Sequence, residues 1–179
     1  MGTSKIIIAG FGGQGVMLIG QILAYAAMLE NKHVTWLPAY GPEMRGGTAN
    51  CSIIISDKEI SSPVISSASE LIAMNYPSLQ KFEKFLAPNG RLFINSSMIN
   101  EVPERTDLEI FNVNTGEIAL ALGNDKVANL VILGAFNQVT KVVRKDSIME
   151  ALEKVFKDDK RSLIEVNAKA YAEGETLFK

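Results

Sequence analysis

Lys5-Ile6-Ile7-Ile8-Ala9-Gly10-Phe11-Gly12-Gly13-Gln14-Gly15 is the stretch on which the fold turns. A short apolar run that stops at glycine reads as a buried strand. Val16, Ile19, Gly20, Leu23, Ala26 and Ala27 follow at helical spacing, so Gln14 to Glu30 reads as a helix. Its small residues Gly20, Ala24 and Ala27 let it lie close against a sheet. Val34 to Leu37 is a second strand, which Pro38 is expected to stop. Strand, glycine turn, helix, strand is a parallel βαβ unit.

The glycines spell G-x-G-x-x-G. In that pattern Gly10 permits the tight turn, Gly12 lets a phosphate approach the backbone, and Gly15 allows close helix packing. The open N–H groups at the helix start favour an anion. A dinucleotide site also needs an acid at the end of the second strand, for a ribose hydroxyl. That strand ends Thr35-Trp36-Leu37-Pro38, Glu30 precedes it and Glu43 lies well beyond it. The confirming feature of an NAD or FAD site is missing, which leaves another anion or simple packing.

After the loop from Pro38 to Gly47, Ala49 to Ile55 and Ile60 to Ile65 are strand-like and flank Ser56-Asp57-Lys58-Glu59, predicting a hairpin and so a mixed sheet. Glu70 to Asn75 is a further buried strand. Pro77 opens a helix through Leu86, Asn89-Gly90 ends that unit, and Arg91 to Asn95 and Leu108 to Val113 are the last strands. The remainder is helical: Thr115 to Leu122, then Asp125 to Thr140, apolar nearly all round and hence buried. Asp146 to Phe156 follows with Asp146 as N-cap, and Arg161 to Glu173 ends at Gly174. The expected fold is a single three-layer α/β/α domain over residues 1–179, with a Rossmann-like, largely parallel but mixed sheet and a helical C-terminal part.

The 179 residues suffice for a core, and 47% hydrophobic with 21% charged residues is a globular balance. A net charge of −2 argues against nucleic acid as a partner. Cys51 is the single cysteine, set in the apolar run Cys51-Ser52-Ile53-Ile54-Ile55 and read as a buried structural thiol. Alone it cannot hold zinc or an iron–sulfur cluster, and His33, the single histidine, leaves no His-pair metal site. No metal ligand and no catalytic residue is assigned. No signal sequence precedes the first strand, and the apolar stretch Val16 to Leu29 is too short to span a bilayer. A cytoplasmic protein without a membrane partner is expected.

The second informative segment is Ala39-Tyr40-Gly41-Pro42-Glu43-Met44-Arg45-Gly46-Gly47. It follows a strand of the parallel unit, so it should lie at the sheet's carboxyl edge beside the first glycine turn, where open α/β sheets bind ligands. Arg45 suits a phosphate or carboxylate, and Gly46-Gly47 offer backbone N–H groups. The plainer alternative is a surface turn in which Arg45 pairs with Glu43. Two glycine-rich loops on one edge favour the ligand reading.

Together, Gly10-Phe11-Gly12-Gly13-Gln14-Gly15 and Tyr40-Gly41-Pro42-Glu43-Met44-Arg45-Gly46-Gly47 resemble the gamma subunit of 2-oxoacid:ferredoxin oxidoreductases. The resemblance continues through Asn50-Cys51-Ser52, the helix Asn129 to Ala135, and Asn167-Ala168-Lys169-Ala170-Tyr171. It implies a reaction shared with alpha, beta and a ferredoxin-like delta subunit: a 2-oxoacid is decarboxylated on thiamine diphosphate, and electrons pass through iron–sulfur clusters to ferredoxin. The acyl group leaves on coenzyme A. The chain carries no recognisable thiamine diphosphate motif, so that cofactor, its magnesium and the clusters are expected in the partners. Gly12, Gly13, Gln14, Gly15, Tyr40, Arg45, Gly46 and Gly47 are the candidate contacts to coenzyme A. The short chain and the Pro-Glu-Met loop lean toward 2-oxoglutarate as substrate, ahead of 2-oxoisovalerate, pyruvate and indolepyruvate. A stand-alone nucleotide-binding or regulatory module is the alternative of another class.

Overall fold

The computed structural model describes residues 2–40, 47–156 and 161–178. Its order is β1 (Ser4–Phe11), α1 (Val16–Leu29), β2 (His33–Tyr40), β3 (Thr48–Ser56), β4 (Ala68–Ala73), α2 (Tyr76–Phe82), β5 (Leu86–Asn95) and β6 (Glu109–Val113). Then come α3 (Thr115–Ala121), α4 (Ala128–Thr140), α5 (Lys145–Val155) and α6 (Ser162–Thr176). Short 3-10 turns at Glu83–Phe85 and Asp125–Val127 lead into β5 and α4.

The strands form one sheet in the order β2-β3-β1-β4-β5-β6. β1, β4, β5 and β6 pair in parallel, whereas β3 is antiparallel to both neighbours. The mixed α/β fold is as the sequence predicts, but the hairpin is not. Thr48–Ser56 pairs with β2 and β1, and residues 60–65 form no strand. Ser61-Ser62-Pro63 explains this, because serines favour turns and proline cannot donate to a ladder. The βαβ unit is also altered: β1 and β2 run the same way, but β3 lies between them.

Four boundaries shift for local reasons. Pro38 does not stop β2, which continues to Tyr40, because β2 is an edge strand and one side needs no donor. Asn89-Gly90 does not precede β5 but forms a bulge within it. The register jumps from Ala68↔Leu86 to Glu70↔Arg91, and Asn89 takes φ 59°. Asp146 lies in the first turn of α5 rather than at its cap, which Arg144 occupies. Gly174 does not end α6, because it is needed inside the helix: a Cβ there would stand 2.0 Å from the Val131 carbonyl oxygen. Gly134 in α4 meets Tyr171 of α6 equally closely, so these two glycines let the helices cross backbone to backbone.

The larger core lies between one sheet face and α1, α4, α5 and α6, and includes Ile6, Ile8, Cys51, Ile53, Phe93 and Phe136. Phe93 stacks on Phe111 with centroids 4.7 Å apart and meets the Phe136 edge at 5.1 Å. The opposite face is covered more thinly, with Ile7, Ala9, Leu71, Ala73, Leu92 and Ile94 packed against Leu79 and Phe82 of α2. Cys51 is fully buried, and burial pushes its thiol up to about 12. The structural reading of this residue stands. No helix among the described residues is long and apolar enough to cross a membrane.

Candidate functional site

The glycine turn closes on itself through Gln14. Its N–H donates to the Phe11 carbonyl at 3.1 Å, and its Oε1 accepts from the Phe11 N–H at 2.7 Å. Gly10, squeezed at the end of β1, would place a Cβ 2.8 Å from Val16 and 2.9 Å from Met74. Gly13 and Gly15 take positive φ, 98° and 73°, which favours glycine at both. Gly15 is the cap residue of α1, and a Cβ there would lie 2.3 Å from Asn129 Nδ2. Its closeness therefore serves the start of α4 rather than a strand beneath. A Cβ on Gly13 would meet nothing within 4 Å, so this part of the turn faces open space.

The second loop begins and ends where the sequence placed it. Tyr40 lies opposite Ala49, and the Gly12 N–H donates to the Gly47 carbonyl at 3.0 Å. Both glycine segments therefore share the carboxyl edge of β1. Arg45 and Gly46, with the rest of residues 41–46 and the Tyr40 side chain, lie outside what the structure describes. In a dinucleotide fold the strand beside β1 would be β2; here antiparallel β3 takes that place and brings Gly47 to the turn.

Around this pair the structure adds residues that the sequence reading missed. Three successive strands run into asparagine: β4 into Asn75, β5 at Asn95, β6 into Asn114. Gln14 ties the turn to the first of these, accepting from Asn75 Nδ2 at 2.8 Å and donating to the Met74 carbonyl at 3.2 Å. Asn75 Oδ1 caps α2 through the Ser78 N–H at 2.9 Å. Asn95 Oδ1 accepts from Thr115 Oγ1 at 2.7 Å and from the Ser97 N–H at 3.2 Å. Ser97 Oγ donates to Asn114 Oδ1 at 2.7 Å and accepts from the Gly116 N–H at the same distance. The crown itself is built of amides and hydroxyls, and at its rim Asn114 Nδ2 donates to the Glu117 carboxylate. Its signal was visible: an apolar run closing on Asn at three strand ends.

Between the crown and the start of α4 lies a cleft of about 280 Å³. Gly13, Gln14, Met74, Asn95, Thr115 and Asn129 are among its walls, and Lys126 stands at it, exposed. Asn129 is 3% exposed and packed on Gly15, with Nδ2 at 3.5 Å from the Gly15 carbonyl, while its buried Oδ1 has no partner. Such an orphan is uncommon and marks a place to look for a ligand.

Iron–sulfur ligation does not fit this chain, because it has a single thiol, buried beneath Gly20 and Trp36 and donating to the Val16 carbonyl at 3.7 Å. Phosphate contacts do fit, through open backbone at Gly13 and the first turn of α1.

Known proteins resemble the chain along nearly its whole length. The family model described as pyruvate ferredoxin/flavodoxin oxidoreductase matches residues 5–176. Ketoisovalerate oxidoreductase subunit VorA of Methanothermobacter thermautotrophicus is 35% identical over 95% of this chain, which spans only 35% of that longer protein. The 2-oxoglutarate synthase subunit KorC of Methanothermobacter marburgensis is 35% identical over 83% of this chain and 84% of its own. Among solved structures, the keto/oxoacid ferredoxin oxidoreductase gamma subunit from Geobacter sulfurreducens superposes with a TM-score of 0.81. It is 30% identical and matched over 97% of this chain and 96% of its own. A glycine turn shared with dinucleotide folds, an inserted antiparallel strand beside it and these likenesses together assign the chain to the pyruvate ferredoxin/flavodoxin oxidoreductase family, among its gamma subunits.

Proposed function

We propose that this chain is the gamma subunit of a 2-oxoglutarate-oxidising enzyme of the family, working with alpha, beta and delta subunits. The complex carries out coenzyme A-dependent oxidative decarboxylation of the 2-oxoacid, with electrons delivered to ferredoxin. Thiamine diphosphate, magnesium and iron–sulfur clusters in the partners supply that chemistry. This chain positions the coenzyme and shields the site. Backbone of Gly13 and Gly15, with Gly46, Gly47, Tyr40 and Arg45 from the second loop, receives the coenzyme's pyrophosphate, while the Gly12 N–H fastens the two loops together. The Gln14 side chain turns inward and holds the turn instead.

The observation that carries this reading is the Gly12-to-Gly47 hydrogen bond, which fastens the two glycine segments together at the sheet's carboxyl edge. Support for 2-oxoglutarate comes from the KorC relative, whose length matches this chain, although VorA, named for ketoisovalerate, is equally identical. The native complex should be purified and assayed for coenzyme A-dependent dye reduction with 2-oxoglutarate, 2-oxoisovalerate, pyruvate and indolepyruvate. Preference for 2-oxoisovalerate would reassign the substrate. Arg45→Ala should raise the KM for coenzyme A roughly tenfold or more, and Arg45→Lys should recover only part of that. Unchanged coenzyme kinetics in a complex that dissociates on gel filtration would make the loop a docking surface.

A further inference from the structure

We infer that the free edge of β2 and the outer stripe of α1 form an interface with a second copy of this chain, strand pairing with strand about a two-fold axis at Thr35. The two edges of the sheet are unlike. β6 is five residues long and opens with Glu109, a short and charged edge of the kind that resists further pairing. β2 runs for eight residues and, His33 aside, has no ionisable side chain near neutral pH. Beside it, α1 carries no charged residue in its fourteen. Gln21, Ala24, Tyr25 and Met28 recur at helical spacing on α1 and form, with Val34 and Trp36, a groove of about 310 Å³. Tyr25 is 37% exposed and Met28 60%, and Leu37 on the other face of β2 is 42% exposed. A long uncharged edge with exposed apolar side chains on both faces is a template for another strand.

That the strand is a copy of β2 follows from what the edge can offer. Pro38 has no N–H, so its side of the strand is the outer one, shared by the alternate residues Trp36 and Val34. An antiparallel copy centred on Thr35 sets Val34 opposite the second copy's Trp36, and each such pair exchanges both N–H···O bonds. Pro38 then falls opposite the second copy's Lys32, outside the strand that begins at His33, where its missing donor costs nothing. Thr35 faces Thr35 across the axis. Its Oγ1 is buried without a partner in the single chain, and threonines hydrogen-bond across such pairs. A two-fold contact sets like against like, which a charged surface resists and this uncharged one permits. At ~3.3 Å per residue the strand is ~27 Å long, and with α1 layered on it the patch is ~20 Å deep, so the contact buries on the order of 1,000 Å² in all. That sits at the lower limit of a specific interface, so the dimer should be weak.

The test is sedimentation equilibrium of the full chain, which should pass from monomer to dimer with a Kd on the order of 10 μM. Leu37→Lys, at an exposed position that leaves folding intact, should weaken the dimer roughly tenfold by placing a charge in the contact. Adding His33→Glu, which faces position 37 of the second copy in this register, should recover part of that loss. Thr35→Cys should cross-link to its own copy under a mild oxidant, because the Cα atoms of such a pair lie ~4.5 Å apart, within reach of a disulfide. His33→Cys is equally accessible to oxidant, but its counterpart in the second copy lies far along the strand, so it should stay uncrosslinked. Cys51 is buried and does not interfere. A chain with native circular dichroism that remains monomeric throughout overturns the proposal and leaves the edge to a strand of another subunit. A dimer indifferent to Leu37→Lys, or one in which His33→Cys cross-links as readily as Thr35→Cys, overturns it as well. Mass and cross-linking need neither coenzyme A nor a 2-oxoacid, so they succeed or fail independently of the functional assay.

Discussion

The two ends of the sheet are built from different chemistry. At the carboxyl edge, Gln14, Asn75, Asn95, Ser97 and Thr115 form an uncharged network around a glycine turn, and one carboxamide oxygen is left over. At the amino edge the groups are ions, and they are matched. The Arg144 N–H donates to Glu30 Oε1 at 2.6 Å, Lys32 Nζ lies 3.0 Å from Glu30 Oε2, and Lys145 pairs with Glu175. Lys32 also donates to the Val142 carbonyl at 2.6 Å. The amino edge has a cleft too, but its carboxylates are engaged, tying α1 and α6 to Lys32, Arg144 and Lys145. The carboxyl edge keeps a cleft and an unmet acceptor, which is where a ligand has something to gain. Charge alone would mislead, since the cleft lined by Glu30, Lys32, Arg144 and Glu175 is the more ionic of the two.

Helix α4 joins the ends, with Asn129 at one and Lys141 at the other, and it is held by its crossing with α6. The largest effect is expected from breaking that crossing. Gly134→Ala places a Cβ 2.0 Å from the Tyr171 carbonyl oxygen, a clash with backbone that no rotamer relieves. It should cost about 3 kcal/mol in urea unfolding. Gly123→Ala, at a left-handed position with nothing within 4 Å, should cost about 1 kcal/mol. Equal losses would mean the crossing relaxes freely and does not couple the edges.

Glu30→Ala separates the edges more sharply. Burial pushes the Glu30 carboxyl up, but hydrogen bonds from the Arg144 N–H, Lys32 and Ser147 outweigh it and hold the group below its ordinary range. A depressed carboxylate stabilises the fold above its unfolded value and loses that contribution as pH falls. The variant should lose about 2 kcal/mol at pH 7. Its difference from the native chain should shrink once pH drops below the ordinary 4.5. The KM of the complex for coenzyme A, read at the far edge, should not change. A difference that stays constant through that range would remove the charge from the explanation.

Within the glycine turn, Gly15→Ala should cost more than Gly13→Ala. Both positions carry positive φ, but only at Gly15 does a Cβ meet Asn129, at 2.3 Å. Strain alone predicts about 1 kcal/mol for Gly13→Ala, and the clash should roughly double that at Gly15. Thermal unfolding of the two variants decides it; equal melting temperatures would show that Asn129 moves aside, and the cleft wall with it.

What the sequence made legible follows the same division. Apolar runs and glycine punctuation located β1, α1, β4 and α4 closely, because burial and backbone conformation are written locally. Pairing partners were not local. Thr48–Ser56 has equal claim to any neighbouring strand until β2 and β1 enclose it, so the hairpin was misassigned. The anion-facing glycines are legible as glycines, whereas the asparagines of the crown, though visible at three strand ends, read individually as turn residues. Gln14, a candidate ligand contact by sequence, also has a structural part that its position did not reveal, bonding to Phe11, Met74 and Asn75.

The smallest effect should come from Glu70, a buried carboxylate that neither edge uses. Glu70 sits on β4, its side chain 6% exposed, in register with Arg91 on β5, which in turn faces Glu109 on β6. Burial raises its pKa, against the Ser69 hydroxyl and the Arg91 charge. The folded state then holds its proton more tightly than the unfolded chain, so stability falls as pH rises above 4.5 through the folded value. Glu70→Gln keeps an acceptor for Ser69 and removes the charge that burial penalises. Arg91 still has Glu109, its Nε 3.6 Å from Oε2. The variant should match the native chain at acid pH and be equal or more stable at pH 7, by up to about 1 kcal/mol. Chemical denaturation at both pH values measures this. A loss at pH 7 that vanishes in acid would show the opposite balance, with the Arg91 ion pair at 3.8 Å exceeding the cost of burying its partner.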